Sequence, residues 1–352
     1  MIPSTCMAQP PHGARLDASA VRLEAKVAHL SRADNYAERP AAVEVVQTHM
    51  SFVFLSDHYA YKLKKPVRYE FLDFSTLEAR RADCLEEVRL NRRLARDVYL
   101  DVVALTLGPE GQLRLGGNGE AVEWLVKMRR LPRELMLDRA IAEGRASRDD
   151  VRRFMLVLTH FYRRAGTVAM EAERYRQRFE RDIRANRREL LTRDYCLPRD
   201  LVEAITARQL DTVAREARLI EQRATGGKII EGHGDLRPEH VFLGHEPVFI
   251  DCLEFNRDWR LVDPVDEIAY LALECDHAGA AWIGDAALEI YSERTGEDPA
   301  VPLVRFYKSV RASLRAKLSA WHLRDHPDPA AQAKWRKRAR AYLELASRYA
   351  AP

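Results

Sequence analysis

The chain has 352 residues, 47% hydrophobic and 31% charged, with a formal net charge of +4. That length argues against a single small module and for two domains with their own cores, and the near balance of charge argues against a protein that coats nucleic acid by bulk attraction. No stretch approaches the ~20 apolar residues of a membrane span, the start lacks a basic segment followed by an apolar core, and Cys6, Cys84, Cys196, Cys252 and Cys275 form no C-x-x-C pair, so a cytoplasmic protein with reduced thiols and no membrane partner is expected.

The first dozen residues, rich in Pro and small polar types, are expected to be mobile. Helical spacing of Leu23, Val27 and Leu30 predicts a helix from Asp17 to Leu30, so residues 1–40 read as an N-terminal extension with one helix. Two strand-like runs follow, VEVVQTHMSFVFLS and YAYKLKKPV, joined at Asp57-His58 as an antiparallel hairpin. Ser75-Thr76-Leu77-Glu78 has the S-x-x-E form of a capping box and predicts a helix to about Leu94, with Leu77, Cys84 and Val88 on its apolar side. DVVALTLGP, QLRLGG and AVEWLVKM add strands, and Leu131-Pro132 ends that pattern. A β-rich lobe at 41–128 and a mostly helical lobe at 129–352 make an α+β protein.

The helical part is interrupted once, at KIIEGHGDLRPEHVFLGHEPVFIDCLEF. Runs at Val241–Leu243 and Val248–Ile250 flank a Gly-His turn, and this hairpin brings Asp235, His240 and Asp251 together. Phosphoryl transfer needs a carboxylate beside the attacking hydroxyl, oxygen ligands for a metal and a cation on the phosphates. In kinase catalytic loops an Asp is followed five residues later by a metal-binding Asn, and a second metal-binding Asp lies on the next hairpin. Asp235, His240 and Asp251 occupy those three positions.

HGDLRPEHVFL, VFIDCLEFN and DPVDEIAYLAL together resemble the aminoglycoside phosphotransferase-like branch of the protein-kinase-like fold. The resemblance implies a two-lobed kinase-like architecture, ATP as phosphoryl donor with Mg²⁺, and a small-molecule hydroxyl as acceptor. It makes Asp235 the catalytic base and Asp251 a metal ligand. His240 stands where the family has Asn; an imidazole nitrogen suits Mn²⁺ better than Mg²⁺, or else His240 only hydrogen-bonds within the loop. A purely structural reading of Asp235 and Asp251 as turn residues does not explain the spacing. Asp263 and Asp266 fit an ordinary helix start, Asp at the N-cap and Pro next, with Asp266 a candidate support for the catalytic loop.

By the same resemblance Lys62 of YAYKLKKPV grips the ATP phosphates; Lys64 shares its face and competes for the role, while Lys65 points away. The following helix offers Glu87 or Glu86 to orient the lysine, with Glu87 favoured. Met128 to Leu131 is the expected lobe hinge, whose backbone meets adenine. One departure stands out: no glycine lies between Gly13 and Gly108, so the glycine-rich phosphate loop of protein kinases is absent and QTHMS, with Thr48 and Ser51, is its candidate substitute.

The Arg-rich segment from Arg174 to Arg188 carries Tyr175, Phe179 and Ile183 at helical spacing and reads first as a solvated amphipathic helix. A clamp for an anionic acceptor, joined by Lys308, Arg311 and Arg315, is the functional alternative. Two rivals to the kinase reading remain, a nucleotide-binding regulatory protein with weak or no transfer and, less favoured, a nucleic-acid-binding module.

Overall fold

Residues 21–69, 72–192, 195–325 and 328–351 are those described by the computed structural model of the chain; the expected mobile start, Asp17–Ala20 of the expected helix and Cys6 lie outside the described residues. The chain divides into two compact units. One comprises the residues up to Arg92 and Arg96–Arg130, the other Arg93–Ala95 and everything from Leu131.

The first unit opens with helix α1 (Leu23–Leu30), whose Leu30 shares a core with Tyr36, Phe54, Tyr61, Leu63 and Leu125. Strands β1 (Glu44–Gln47), β2 (Ser51–Leu55) and β3 (Tyr59–Lys64) follow. The run expected as one strand is therefore itself a hairpin. Its turn contains neither Gly nor Pro; Thr48 closes it instead, its Oγ1 accepting from Ser51 N at 3.0 Å and its own N–H donating to Ser51 O at 2.9 Å. A side chain substitutes here for the usual turn residues. The Thr48 hydroxyl, a candidate phosphate contact from sequence, is thus engaged within the turn.

Strands β4 (Arg68–Tyr69) and β5 (Leu72–Asp73) pair with each other, and helix α2 runs over Leu77–Asn91. Its N-cap is Thr76, accepting from Ala79 N at 3.1 Å. Ser75 instead donates to Asp73, so the expected S-x-x-E box does not form and the helix starts one residue later than read. Strands β6 (Tyr99–Leu107), β7 (Leu113–Leu115) and β8 (Glu120–Arg129) complete a six-stranded antiparallel sheet in the order β1-β2-β3-β8-β6-β7. Alternation along β3 sends Tyr61 and Leu63 into the core with α1 and leaves Lys62 and Lys64 on the face that meets α2. A buried ion cluster locks the unit: Glu123 of β8 accepts two guanidinium bonds from Arg80 of α2, both 2.9 Å, and an ammonium bond from Lys26 of α1, also 2.9 Å.

The second unit is mostly helical. Helices α3 (Leu137–Ala142), α4 (Arg148–Arg164), α5 (Ala172–Leu190), α6 (Arg199–Arg215) and α7 (Ala217–Thr225) come first. A capping box between Ser147 and Asp150 starts α4. Strand β9 (Ile230–Glu231), the hairpin of β10 (Val241–Phe242) and β11 (Val248–Phe249), helix α8 (Arg257–Arg260) and strand β12 (Leu261–Val262) form the interruption, with β12 pairing back onto β9. Helix α9 (Pro264–His277) then starts with Asp263 accepting from Val265 N and Pro264 in the first turn, as its sequence predicts. It is followed by α10 (Ala281–Thr295), α11 (Val301–Asp325) and α12 (Pro329–Ala350). Helix α9 is buried almost all round, which marks a central helix rather than a surface one. Its Ile268 and Leu271 pack with Phe154 and Leu158 of α4 and Ile283 of α10, while Tyr270 and Leu273 face Ala312, Ala316 and Tyr342 of α11 and α12. Among the described residues no helix is long and apolar enough to cross a membrane.

Candidate active site

The loop between β9 and β10 in the second unit is held from several sides. Arg93 donates to the carbonyls of Glu231 and Gly232 at 2.7 and 2.8 Å, and Gly234 N donates to Glu267 Oε1 at 2.6 Å. Gly232 has no room for a side chain: a Cβ there would stand 2.5 Å from Glu267 Oε1 and 2.6 Å from Val262 Cγ2. Gly234 has φ +86°, a conformation open to glycine and costly for other residues. These two glycines let the loop turn tightly onto α9.

Asp235 and His240 of that loop converge with Asp251, which follows β11. His240 Nδ1–H donates to the Asp235 carbonyl at 2.8 Å; a carbonyl only accepts, so this bond fixes the tautomer and leaves Nε2 with its lone pair. That nitrogen lies 3.5 Å from Asp251 Oδ2 and accepts from an Arg237 guanidinium N–H at 3.2 Å. Ile250 N donates to His240 O at 3.0 Å, which ties the base of the hairpin. Asp251 has φ +59°, a left-handed conformation that Asp adopts more readily than most residues but still at some cost. Held strain beside a half-exposed carboxylate is characteristic of functional positions.

Both oxygens of the Asp235 carboxylate are capped. Tyr270 O–H donates to Oδ1 at 3.2 Å, and the Arg237 guanidinium forms an ion pair with Oδ2 at 2.9 Å. Burial is the largest influence on the Asp235 carboxyl and raises it, but the summed charge of Arg237 and further neighbours such as Arg315 outweighs burial and holds the group at about 2. Behind the loop His233 is fully buried, its Nε2–H on Ile250 O at 2.9 Å and its ring stacked on His240 at 5.9 Å. Burial pushes this imidazole down to about 3.

In the first unit Lys62 Nζ meets Glu87 Oε1 at 2.9 Å, while Lys64 Nζ meets Glu87 Oε2 at 2.6 Å and Asp83 Oδ2 at 2.5 Å. Both lysines therefore share the face expected of them. Glu86 turns to the exposed side and forks with Arg89. Lys65 donates to Thr48 O at 2.6 Å and covers the Phe52 ring. Met128 lies inside β8, opposite Ala60 on one side and Tyr99 on the other, so it is a sheet residue rather than part of a connecting segment; Leu131 follows the end of that strand.

One expectation needs correcting and another narrows. Asp266 does not support the loop: it forks with Arg311 at 2.8 and 2.6 Å, and its neighbour Glu267 bonds Gly234 N instead. A single helical position turns the side chain by about 100°, which spacing alone does not resolve. Internal ion pairs take up part of the expected basic clamp, while Arg174, Arg181, Arg184 and Arg188 are exposed. Arg176 binds Glu180 and Glu221, Arg187 binds Glu203, and Arg315 binds Glu274 at 2.8 Å; the buried Lys308 covers the Tyr349 ring. Arg176, Arg187 and Arg315 are each matched by a carboxylate of the same chain. Sequence reading missed Arg237, Tyr270 and Glu267 as partners of the loop. Only Arg237 carried a signal, as a cation two positions after Asp235.

No protein-family model matches the chain. It is 32% identical over 286 residues to uncharacterized proteins of Mycobacterium bovis and Mycobacterium tuberculosis, an overlap of 78% of this chain and 54% of each of theirs. The chain thus spans about half the length of the curated relatives it matches. Among solved structures, a choline/ethanolamine kinase family protein from Mesorhizobium loti aligns with a TM-score of 0.50 at 14% identity, over 92% of this chain and 98% of that one. An aminoglycoside phosphotransferase from Streptomyces rimosus, solved with ADP and streptomycin, aligns at 0.47 and 19% identity over 82% of this chain and 97% of that one. The chain has the protein-kinase-like fold, with an antiparallel sheet unit followed by a helical unit.

Proposed function

We propose that this chain is a small-molecule phosphotransferase of the aminoglycoside phosphotransferase-like kind, moving the terminal phosphoryl group of ATP to a hydroxyl. The observation that carries the reading is the convergence of Asp235, His240 and Asp251, with His240 Nε2 3.5 Å from Asp251 Oδ2 and its Nδ1 on the Asp235 carbonyl. Asp235 orients the acceptor hydroxyl and takes its proton. Lys62, paired with Glu87, holds the nucleotide phosphates, and the main chain near Leu131 is the candidate for adenine.

The donor set fits a divalent ion, because one lone-pair nitrogen and one carboxylate oxygen 3.5 Å apart can be bridged by bonds of about 2.1 Å each. His240 and Asp251 would hold that ion, which when bound offsets charge on the phosphate oxygens. An imidazole donor favours Mn²⁺ over Mg²⁺.

The test is a screen of a metabolite pool with labelled ATP, repeated with Asp235→Asn. Labelled product should form with wild type and fall by about 10²–10⁴-fold in the variant, with nucleotide binding kept. Transfer at the wild-type rate by Asp235→Asn would end this reading; nucleotide binding without any product, even in a single turnover, would favour a regulatory protein.

A further inference from the structure

Arg237 occupies an unusual position in the loop. One guanidinium nitrogen is 2.9 Å from Asp235 Oδ2 and 3.2 Å from His240 Nε2, so a single N–H₂ group serves both the candidate base and the candidate metal ligand. His240 has no second choice of donor atom, because its Nδ1–H is committed to the Asp235 carbonyl at 2.8 Å. A nitrogen lone pair directed at a guanidinium proton is not available to a metal ion, so the two cations exclude each other at Nε2.

The side chain also has the means to let go. Its Nε is buried with no hydrogen-bond partner among the described residues, so that atom does not anchor it. Its other terminal nitrogen pairs with Glu239 on the same loop, and that contact does not involve Asp235, His240 or Asp251. Glu239 can retain the guanidinium when the bonds to Asp235 and His240 are given up.

We propose that Arg237 is a latch that competes with a divalent cation for His240 Nε2, so that loading the ion on His240 and Asp251 displaces the guanidinium and uncovers the Asp235 carboxylate in the same movement. Metal loading and base activation become one event. The proposal rests on the phosphotransferase reading only for the role of Asp235; competition for Nε2 stands on geometry alone.

The experiment is a Mn²⁺ titration without nucleotide, followed by electron paramagnetic resonance, on wild type, Arg237→Met, His240→Asn and the double variant. A latch predicts that Arg237→Met binds Mn²⁺ more tightly, with a change on the scale of the 10- to 100-fold that partners of metal ligands commonly exert, about that size in the opposite direction. A residue that merely supports His240 predicts weaker binding. The tighter complex should show magnetic coupling to an imidazole nitrogen, and the gain should vanish in the double variant. Unchanged or weaker affinity, absence of nitrogen coupling, or a gain that persists with His240→Asn overturns the latch; the last outcome would reduce Arg237 to a background charge. If Arg237→Met does not fold, Mn²⁺ added to the wild type should shift the Arg237 side-chain nitrogen resonances, and their constancy on saturation overturns the proposal equally. None of these readouts requires phosphoryl transfer, so a failed latch and a failed phosphotransferase reading are told apart.

Discussion

Lys62 Nζ and Glu87 Oε1 lie 2.9 Å apart, and the same carboxylate offers its second oxygen to Lys64 at 2.6 Å. The two lysines differ in everything else. Lys64 is 1% exposed and also bound to Asp83, whereas Lys62 keeps 14% of its side chain accessible. Lys62→Ala should therefore weaken nucleotide binding and leave the fold intact, since Glu87 keeps Lys64. Lys64→Ala should instead take from the buried Asp83 the lysine it pairs with and leave Glu87 with Lys62, a loss of about 3–5 kcal/mol. Urea unfolding alongside nucleotide titration separates them; equal effects on both measurements would assign the lysines the same role and reject this division.

The buried His233 makes stability depend on acidity. Its folded imidazole titrates at about 3 and an unfolded one at about 6.5. Between those values the unfolded chain binds the extra proton, so stability is complete above the upper value and falls as pH drops through the window. The slope from this one group is about 1.4 kcal/mol per pH unit. His233→Gln, which keeps an N–H donor for the Ile250 carbonyl, should flatten the pH dependence of urea midpoints between about 6 and 4. An unaltered slope would mean that other groups dominate acid sensitivity.

Gly232 should tolerate no side chain. Glu267 cannot yield to a new Cβ, because its two oxygens are held by Gly234 N at 2.6 Å and the Tyr162 hydroxyl at 3.0 Å. Gly232→Ala should cost about 1–3 kcal/mol by overpacking and displace the loop carrying Asp235. Calorimetry shows the first effect and transfer kinetics the second. A variant of wild-type stability would mean that Val262 and Glu267 can move apart at little cost.

Much of the candidate site was readable because it is local in the chain. His240 follows Asp235 by five residues and a short hairpin returns Asp251, so loop length and two apolar runs sufficed to bring them together. What was not readable depended on rotation or rotamer. Asp266 and Glu267 are adjacent, and only packing shows which faces Gly234. Tyr270 looks like one more member of an apolar stripe until α9 is seen to place its hydroxyl on Asp235. QTHMS stood out as a connection but not as a tight turn, because Thr48 makes the β1–β2 turn with a side chain, without the glycine or proline that marks most turns. Arg176, Arg187 and Arg315 look available in sequence because their carboxylate partners Glu221, Glu203 and Glu274 lie on other helices.

The strand order of the first unit has a consequence for how the chain matures. Strand β8 is the last of the six in sequence, yet it lies between β3 and β6, and it also carries Glu123, the shared partner of Lys26 and Arg80. During synthesis the β1-β2-β3 meander and the β6–β7 hairpin emerge first, each with an open edge that only β8 can cover. The sheet, α1 and α2 must then wait for one late segment, Glu120–Arg129, which joins residues nearly a hundred positions apart. Such a long-range closing step is slow and leaves unpaired edges exposed to other chains. Nascent or truncated chains ending before β8 are the species in which self-association should concentrate, and chaperone demand should fall once that strand has left the ribosome.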